Sequence, residues 1–413
     1  MRTRAGRSLA VLFALAGLVG CINPVDSGGA NASRIGALLP FTGDFAVSGI
    51  NIERALILAA EAATRAGGIE GRPVAVISAD THDAATPFVE LDRAVTAAQH
   101  LMQDIGVIGV MGPETTDIAQ RAVAIARNTQ TVNFIGGLLP PTAYSAYDRC
   151  TFHILPSVSS LSQTLAKRMR ADGIGRVQVL YNLDTYGATL GRAVADDFKA
   201  LGGDPGLPIS FQPSAVTYQG LIRDALTTQP QAIVLVAYPE TAARIMQEYL
   251  VIGSTVKWYF APTLQSQGFL NNVPQTLVDG AIGVAPGLSA DPARAFADLF
   301  QQRFSGDVPL TGAYYYYDSM ALLLLAVTAA EHAAGATPSY RQICDQIPQV
   351  AGPGGEVVTW DQLDRGIRLA QSGVMVNYEG LTGPVEIDDN GEGKAPLVEL
   401  WTIRAGRIET LSP

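Results

Sequence analysis

A chain of 413 residues, 48% apolar and only 16% charged, can bury a large core and is too long for one ordinary domain, so two domains are expected. Its 38 acidic against 28 basic side chains, a formal charge of −10, exclude a nucleic-acid surface of the usual basic kind. Three cysteines with no Cys-x-x-Cys pair argue against zinc and dithiol redox motifs.

In chain order, Arg2, Arg4 and Arg7 precede the apolar run "LAVLFALAGLVG" and Cys21, the pattern of an export signal over residues 1–21. Its end, "LVGC", has the form of a lipobox, which predicts cleavage before Cys21 and lipidation of that cysteine. Removing those three arginines from the 28 basic residues leaves 25 against 38 acidic ones, a formal charge of −13. "INPVDSGGANAS", residues 22–33, is small and polar and reads as a tether from a membrane anchor to a folded body that starts near Arg34.

"RIGALLP" from Arg34 reads as a strand, and Ile52, Ala55, Leu56, Ala59 and Ala63 then recur at helical spacing. "PVAVISAD" from Pro73 is a second strand, followed by the stripe Leu91, Ala94, Val95, Ala98, Leu101 and Met102, with His100 off the stripe and facing solvent. "DIGVIGVM" leads through "GPETTDIAQ" into a third helix, and "TVNFIGG" is the next strand. A second series begins with "RVQVLYN" at 176 and runs through "PISFQP", "AIVLVAY" and "VKWYFAP", each separated from the next by a helical segment. Continuous apolar strands alternating with helices predict an α/β fold of two lobes with parallel central sheets and right-handed crossovers. Helices near 291–304, 313–334 and 339–347 are expected to return to the first lobe. "MALLLLAVTAA", Met320 to Ala330, is far short of a membrane span of roughly 20 residues and reads as a buried core helix. "GPVEIDDNGEGKAPLVELWTIRAGRIE" predicts hairpin strands around an Asp-Asn-Gly turn.

Ligands of such sheets sit outside the carboxyl ends of the strands, where loops enter helices. "VMGPETTDIAQ", residues 110–120, lies on that edge, and its Thr115 or Thr116 either caps the following helix or meets a ligand there. Cys150 and Cys344 are either a disulfide, as an exported chain allows, or two isolated thiols. Catalytic constellations are missing: there is no nucleophile elbow, Walker loop, zincin motif or dinucleotide fingerprint, and Asp196 and Asp197 are adjacent on a helix and diverge. His82, His100, His153 and His332 have no metal-ligand spacing, so no enzyme, cofactor or metal is expected.

The lipobox, "IGALLPFTGDFAVSGINIERALILAAEAATRAGGIEGRPVAV", "GPETTDIA", "LDTYGATLGRAVADDFKALGG", "AYPETAARIMQ" and "GPVEIDDNGEG" together resemble the periplasmic branched-chain amino acid (Leu/Ile/Val)-binding proteins. These are the type I substrate-binding proteins of ABC transporters, and the resemblance spans about residues 34–405. It implies two Rossmann-like lobes joined by three crossovers, near His153–Pro156, Val284–Gly287 and Tyr378–Gly383. Lobe 1 would be 34–155 plus 286–379, and lobe 2 would be 156–285 plus 380–413.

The resemblance also implies a ligand shell. Thr116, with Thr115 beside it, matches the hydroxyl that binds a ligand carboxylate; Tyr186 with Gly187, and Tyr238, match tyrosines that close over the ligand. Where the family holds the ligand ammonium, this chain has Leu138, Leu139 and Thr263, and Ser48 replaces an aromatic residue. A buried ammonium without a counter-charge costs several kcal/mol, comparable to much of a micromolar affinity of ~8 kcal/mol. Glu114, Asp184 or Glu240 could stand in, but Glu114 would repel a carboxylate at Thr116. The departures imply an altered ligand, such as a carboxylate or amide without an α-amino group. The function implied is a lipid-anchored, extracytoplasmic solute-binding protein that delivers a small polar molecule to an ABC permease. The alternative is a ligand-sensing or scaffold lipoprotein of the same fold, with which Ile22 after the lipidated cysteine agrees.

Overall fold

A computed structural model describes residues 31–82, 91–139 and 149–411; the signal, Cys21 and most of the tether lie outside the described residues. Fifteen strands are described. The first sheet is wholly parallel, in the order β2 (Val74–Asp80), β1 (Ser33–Leu39), β3 (Gly109–Met111), β4 (Val132–Phe134), β5 (Thr151–Phe152). Its strands are apolar on both faces because both are covered. One face packs on a cluster around Leu39, Phe134 and Leu323, and the other on Leu38, Ile77, Ala98 and Leu101.

The second sheet runs β15 (Arg407–Thr410), β14 (Val398–Arg404), β10 (Ile282–Pro286), β9 (Lys257–Phe260), β8 (Ala232–Val236), β6 (Val177–Asn182), β7 (Ile209–Phe211). It is parallel except where β14 pairs with β10 and β15. Clusters around Phe260 and Trp401 on one face, and Leu165, Val179 and Phe198 on the other, form its core. The bodies built on the two sheets are here called lobe 1 and lobe 2.

The chain leaves the first sheet after β5 and returns after β10, where Phe296 and Phe300 of the helix Ala290–Arg303 join the lobe 1 core. The helix Thr311–Ala334 runs through the middle of that core, with Leu322, Leu323, Leu324 and Leu325 fully buried. Truncating one of them to alanine should cost about 2–5 kcal/mol. No helix among the described residues is long and apolar enough to cross a membrane.

A small sheet of β11 (Glu356–Thr359), β12 (Val376–Gly380) and β13 (Gly383–Pro384) was not foreseen from the sequence. Buried Asp318, on the helix Thr311–Ala334, fastens its end. The carboxylate accepts from Tyr378 Oη (2.8 Å), Leu381 N (3.0 Å), Thr382 N (2.9 Å) and Thr382 Oγ1 (2.7 Å). Leu381, Val385 and Ile387 still belong to the lobe 1 core, and the chain joins the second sheet only at Val398, later than the crossing expected at Tyr378–Gly383.

The Asp-Asn-Gly stretch turns as expected, with the Asp388 carboxylate accepting from Asn390 N (2.8 Å) and Glu392 N (3.0 Å), and its flanks pair briefly through Asp388 N to Glu392 O (2.8 Å), Lys394 N to Glu386 O (2.8 Å) and the Ile387–Gly393 bridge. A second, longer hairpin, β14–β15, turns at Ala405 and Gly406 with φ of 48° and 75°. The Asp-Asn-Gly turn also bonds to the end of β5: His153 N donates to Gly391 O (2.8 Å) and Gly393 N to His153 O (2.8 Å). Cys150 and Cys344 form a disulfide that ties the start of β5 to the helix Tyr340–Val350 across 194 residues of chain.

Candidate functional site

In lobe 1, β1 pairs with β2 on one side and β3 on the other, so the loops leaving β1 and β3 diverge and open a crevice at their carboxyl ends. In lobe 2, β6 lies between β7 and β8, which places a second crevice at the ends of β6 and β8. The residues singled out in the sequence sit on these loops and the helices they enter.

After β1, the Asp80 carboxylate accepts from Phe41 N (2.8 Å), Thr42 Oγ1 (2.8 Å) and His82 N (3.0 Å), which fixes the loop that carries Phe45. On the next helix, Ser48 Oγ donates to Glu114 Oε1 (2.7 Å). After β3, Gly112 has φ +104° and passes so close to Leu38 that a Cβ would lie 2.2 Å from its carbonyl oxygen. That tight passage delivers Glu114, Thr115 and Thr116 to the edge. Thr115 occupies the N-cap position of the helix Thr116–Thr129, yet its side chain makes no cap bond, and its buried Oγ1 has no hydrogen-bond partner. Thr116 Oγ1 accepts from Leu138 N (3.0 Å). Neither threonine therefore serves as the expected cap.

In lobe 2, the Asp184 carboxylate accepts from Gly187 N (2.7 Å) and caps the helix Thr185–Ala200. Thr263 Oγ1 donates to Ala237 O (2.6 Å), so the Tyr186 hydroxyl, 3.2 Å away, is the donor to Thr263. The ring of Tyr186 stacks on Tyr238, with centroids 5.6 Å apart and planes 23° apart.

The two walls meet. Phe45 of lobe 1 packs edge-on against Tyr238, centroids 5.4 Å apart, and against His82 at 5.5 Å. Asp117 Oδ1 accepts from Thr185 N (3.3 Å) and from the Thr185 hydroxyl, joining the first turn of one lobe's helix to the first turn of the other's. Leu138 buries its side chain in the lobe 2 core. Ser48, Thr115, Thr116, Leu138, Tyr186, Tyr238 and Thr263 thus gather at one cleft. Leu139 does not, because it packs with Ala119, Val123 and Ile135 against the helix Thr116–Thr129.

Of the acids that could replace the missing counter-charge, Glu240 is exposed and its charge acts on Tyr218, away from the cleft. Burial raises the pKa of Glu114, opposed by the Ser48 hydrogen bond. Burial also raises that of Asp184, opposed by Gly187 N and reinforced by the charge of Asp117. Tyr238 is held well above the usual phenol range by burial and then by Asp184, Tyr186, Asp117 and Glu114. None of the groups shifting Glu114, Asp184 or Tyr238 is a cation. The cleft is lined by aromatic rings and by carboxyls whose pKa burial raises, and Arg93 pairs with Asp80 beside its first loop (3.7 Å).

Two participants were not singled out in the sequence, Phe45 and Asp117: both lie inside the stretches quoted there, and nothing local marks a first-turn acid that reaches the opposite lobe. The histidines stay apart. His100 is exposed beside Asp104, His332 Nδ1 meets Gln371 O at 3.0 Å, and His153 is buried with a hydrogen bond to the Gly136 backbone. Among the described residues, no group of three His, Cys, Asp or Glu is placed to hold a metal ion.

Known proteins were compared with this geometry. The chemotactic signal transduction system substrate-binding protein BasB of Halobacterium salinarum is 25% identical over 371 residues, 86% of this chain and 83% of the relative. The leucine-binding protein LivK of Thermotoga maritima superposes with a TM-score of 0.75 at 17% identity, covering 92% of this chain and 98% of that one. LivJ of Streptococcus pneumoniae, solved with isoleucine, gives 0.72 at 18% identity over 92% and 100% of the two chains. These structures share the type I binding-protein fold with this chain. A family model described as periplasmic binding protein matches residues 33–373, so the chain belongs to the periplasmic binding protein family.

Proposed function

We infer that the protein captures a small ligand between its lobes and hands it to an ABC-type permease in the cell envelope. The observation that carries this reading is the meeting of Tyr186 and Tyr238 of lobe 2 with Phe45 and the Glu114–Thr116 loop of lobe 1, at the carboxyl ends of both sheets. Aromatic walls with a few fixed polar groups are how such clefts bind small molecules. In this reading Cys21 is the lipidated anchor and residues 22–33 are the tether that lets the body reach its permease. Capture is tested by native mass spectrometry for a co-purified small molecule and by a thermal-shift panel of amino acids, amides, amines and organic acids. A ligand at 100 times its Kd should add ~2.7 kcal/mol of stability. Tyr238→Ala should cancel the shift, and a wild type that responds to no panel member would overturn the capture reading.

A second reading, ligand sensing without transport, is favoured by one observation: the relative matched over 86% of this chain is named for chemotactic signal transduction. A deletion strain decides between the two readings. Loss of uptake of the bound ligand supports transport, whereas unchanged uptake with a lost behavioural response supports sensing.

A further inference from the structure

The cleft is lined by buried polar atoms that lack hydrogen-bond partners, two of them pure acceptors. Glu114 Oε2 is sealed from solvent with no partner, and Thr115, 8% exposed, has its Oγ1 unpaired. Asn182, wholly buried at the end of β6, lies against Asp184 and leaves both its Oδ1 and its Nδ2 without a partner among the described residues. Buried polar groups in a folded protein are nearly always satisfied, so orphans at one cleft mark groups kept for something that binds there. Two of these four atoms, Glu114 Oε2 and Asn182 Oδ1, together with the carboxylates of Asp117 and Asp184, can only accept from a donor or attract a positive charge. Tyr186 and Tyr238, stacked on each other, and Phe45, edge-on to Tyr238, supply an aromatic wall beside these groups.

We propose that the ligand is an organic cation, in its simplest form a primary alkylammonium, whose charge Glu114 meets from lobe 1 and Asp184 from lobe 2, with no carboxylate required. This rests on the capture reading above and gives that site its ligand class. It also replaces the expectation of a carboxylate or amide without an amino group. An anion at Thr116 would face Glu114, Asp117 and Asp184 in poorly solvated surroundings, while Thr116 itself already serves Leu138.

Three probes with nearly the same apolar body separate the charges: 3-methylbutylammonium, leucine and 4-methylpentanoate, titrated calorimetrically into the purified protein. The ammonium is expected to bind at least as tightly as leucine, and 4-methylpentanoate at least ten-fold more weakly than either. Glu114→Gln, which keeps an acceptor for Ser48, should weaken the ammonium at least ten-fold at an unchanged urea midpoint, and Asp184→Asn, still a good helix cap, should also weaken it. Binding of 4-methylpentanoate as tightly as the ammonium, or no binding of the ammonium, overturns the proposal. If in that case leucine or another panel ligand binds and Tyr238→Ala removes it, the cleft still captures and only the cation assignment fails. If no ligand of any charge binds, both readings fail.

Discussion

Asp318 lies wholly buried in lobe 1 and accepts hydrogen bonds from Tyr378, Leu381 and twice from Thr382, whereas Glu114, at the cleft edge of the same lobe, accepts one from Ser48 and leaves Oε2 bare. The fold makes close room for the first: a Cβ on Gly380 would lie 2.4 Å from Asp318 Oδ2. Burial acts on both, raising Glu114 and pushing Asp318 up to about 6. The difference lies in the donors supplied. A carboxylate that holds a fold together is saturated by the fold, and one whose second oxygen is left bare is available to a partner from outside.

The largest effect that sharpens this contrast is on stability. Asp318→Ala strands the buried amides of Leu381 and Thr382 and should cost about 3–5 kcal/mol in urea unfolding, whereas Glu114→Gln should change stability by less than about 1 kcal/mol. Equal costs would break the comparison.

Titration gives the next effect. Asp318, raised from 3.8 to about 6, contributes stability that is present below its unfolded value and lost as pH rises through about 6. His153, lowered from 6.5 to about 4 by burial, contributes stability that is present above 6.5 and lost as pH falls through about 4. Each is worth roughly 3 kcal/mol over its window, so the two nearly cancel and their joint contribution should be almost level from about pH 4 to 6.5. Asp318→Asn should unmask the loss towards acid, and His153→Gln the loss towards neutral pH; urea melts across that range check both. For Glu114 the readout is binding instead. Its raised pKa means that the carboxylate charge is lost earlier on acidification than an exposed glutamate's, and ammonium affinity should fall with it as pH is lowered from 7. An affinity that stays level would exclude Glu114 as the counter-charge.

The smallest effects concern the two threonines. Thr116→Ala removes the acceptor for Leu138 N and should cost ~1 kcal/mol, while Thr115→Val loses no hydrogen bond and should leave the melting midpoint unchanged or slightly raised. Ligand affinity should fall on Thr115→Val. If it does not, the unpaired hydroxyl has no role in binding.

The lobes were legible because burial on both faces writes continuous apolar strands such as "AIVLVAY", and helices between them carry stripes such as Leu91 to Met102. Thr115 and Thr116 were legible because they follow a strand end, whereas Tyr186 and Tyr238, which also follow strand ends, were marked only by the resemblance. What could not be read was pairing across the cleft. Asp117 to Thr185 is a contact over 68 residues, and no local pattern tells which first-turn acid reaches the opposite lobe. Ser48 was noted only as a lost aromatic residue, although its hydroxyl is the one donor to Glu114. The Asp-Asn-Gly hairpin was legible as a turn signal, and its flanks do pair, but its added bonds to His153 were not, because they come from a residue far earlier in the chain.

The bond between Asp117 and Thr185 has a kinetic consequence. A carboxylate from lobe 1 sits at the positive end of the lobe 2 helix Thr185–Ala200, so the protein's own groups help hold the two lobes together. In the proposed capture, entry and exit both require that contact to break. The observed dissociation constant is the intrinsic one divided by the fraction of molecules open at any moment. If the cleft captures a ligand as proposed, Asp117→Ala should speed both loading and release.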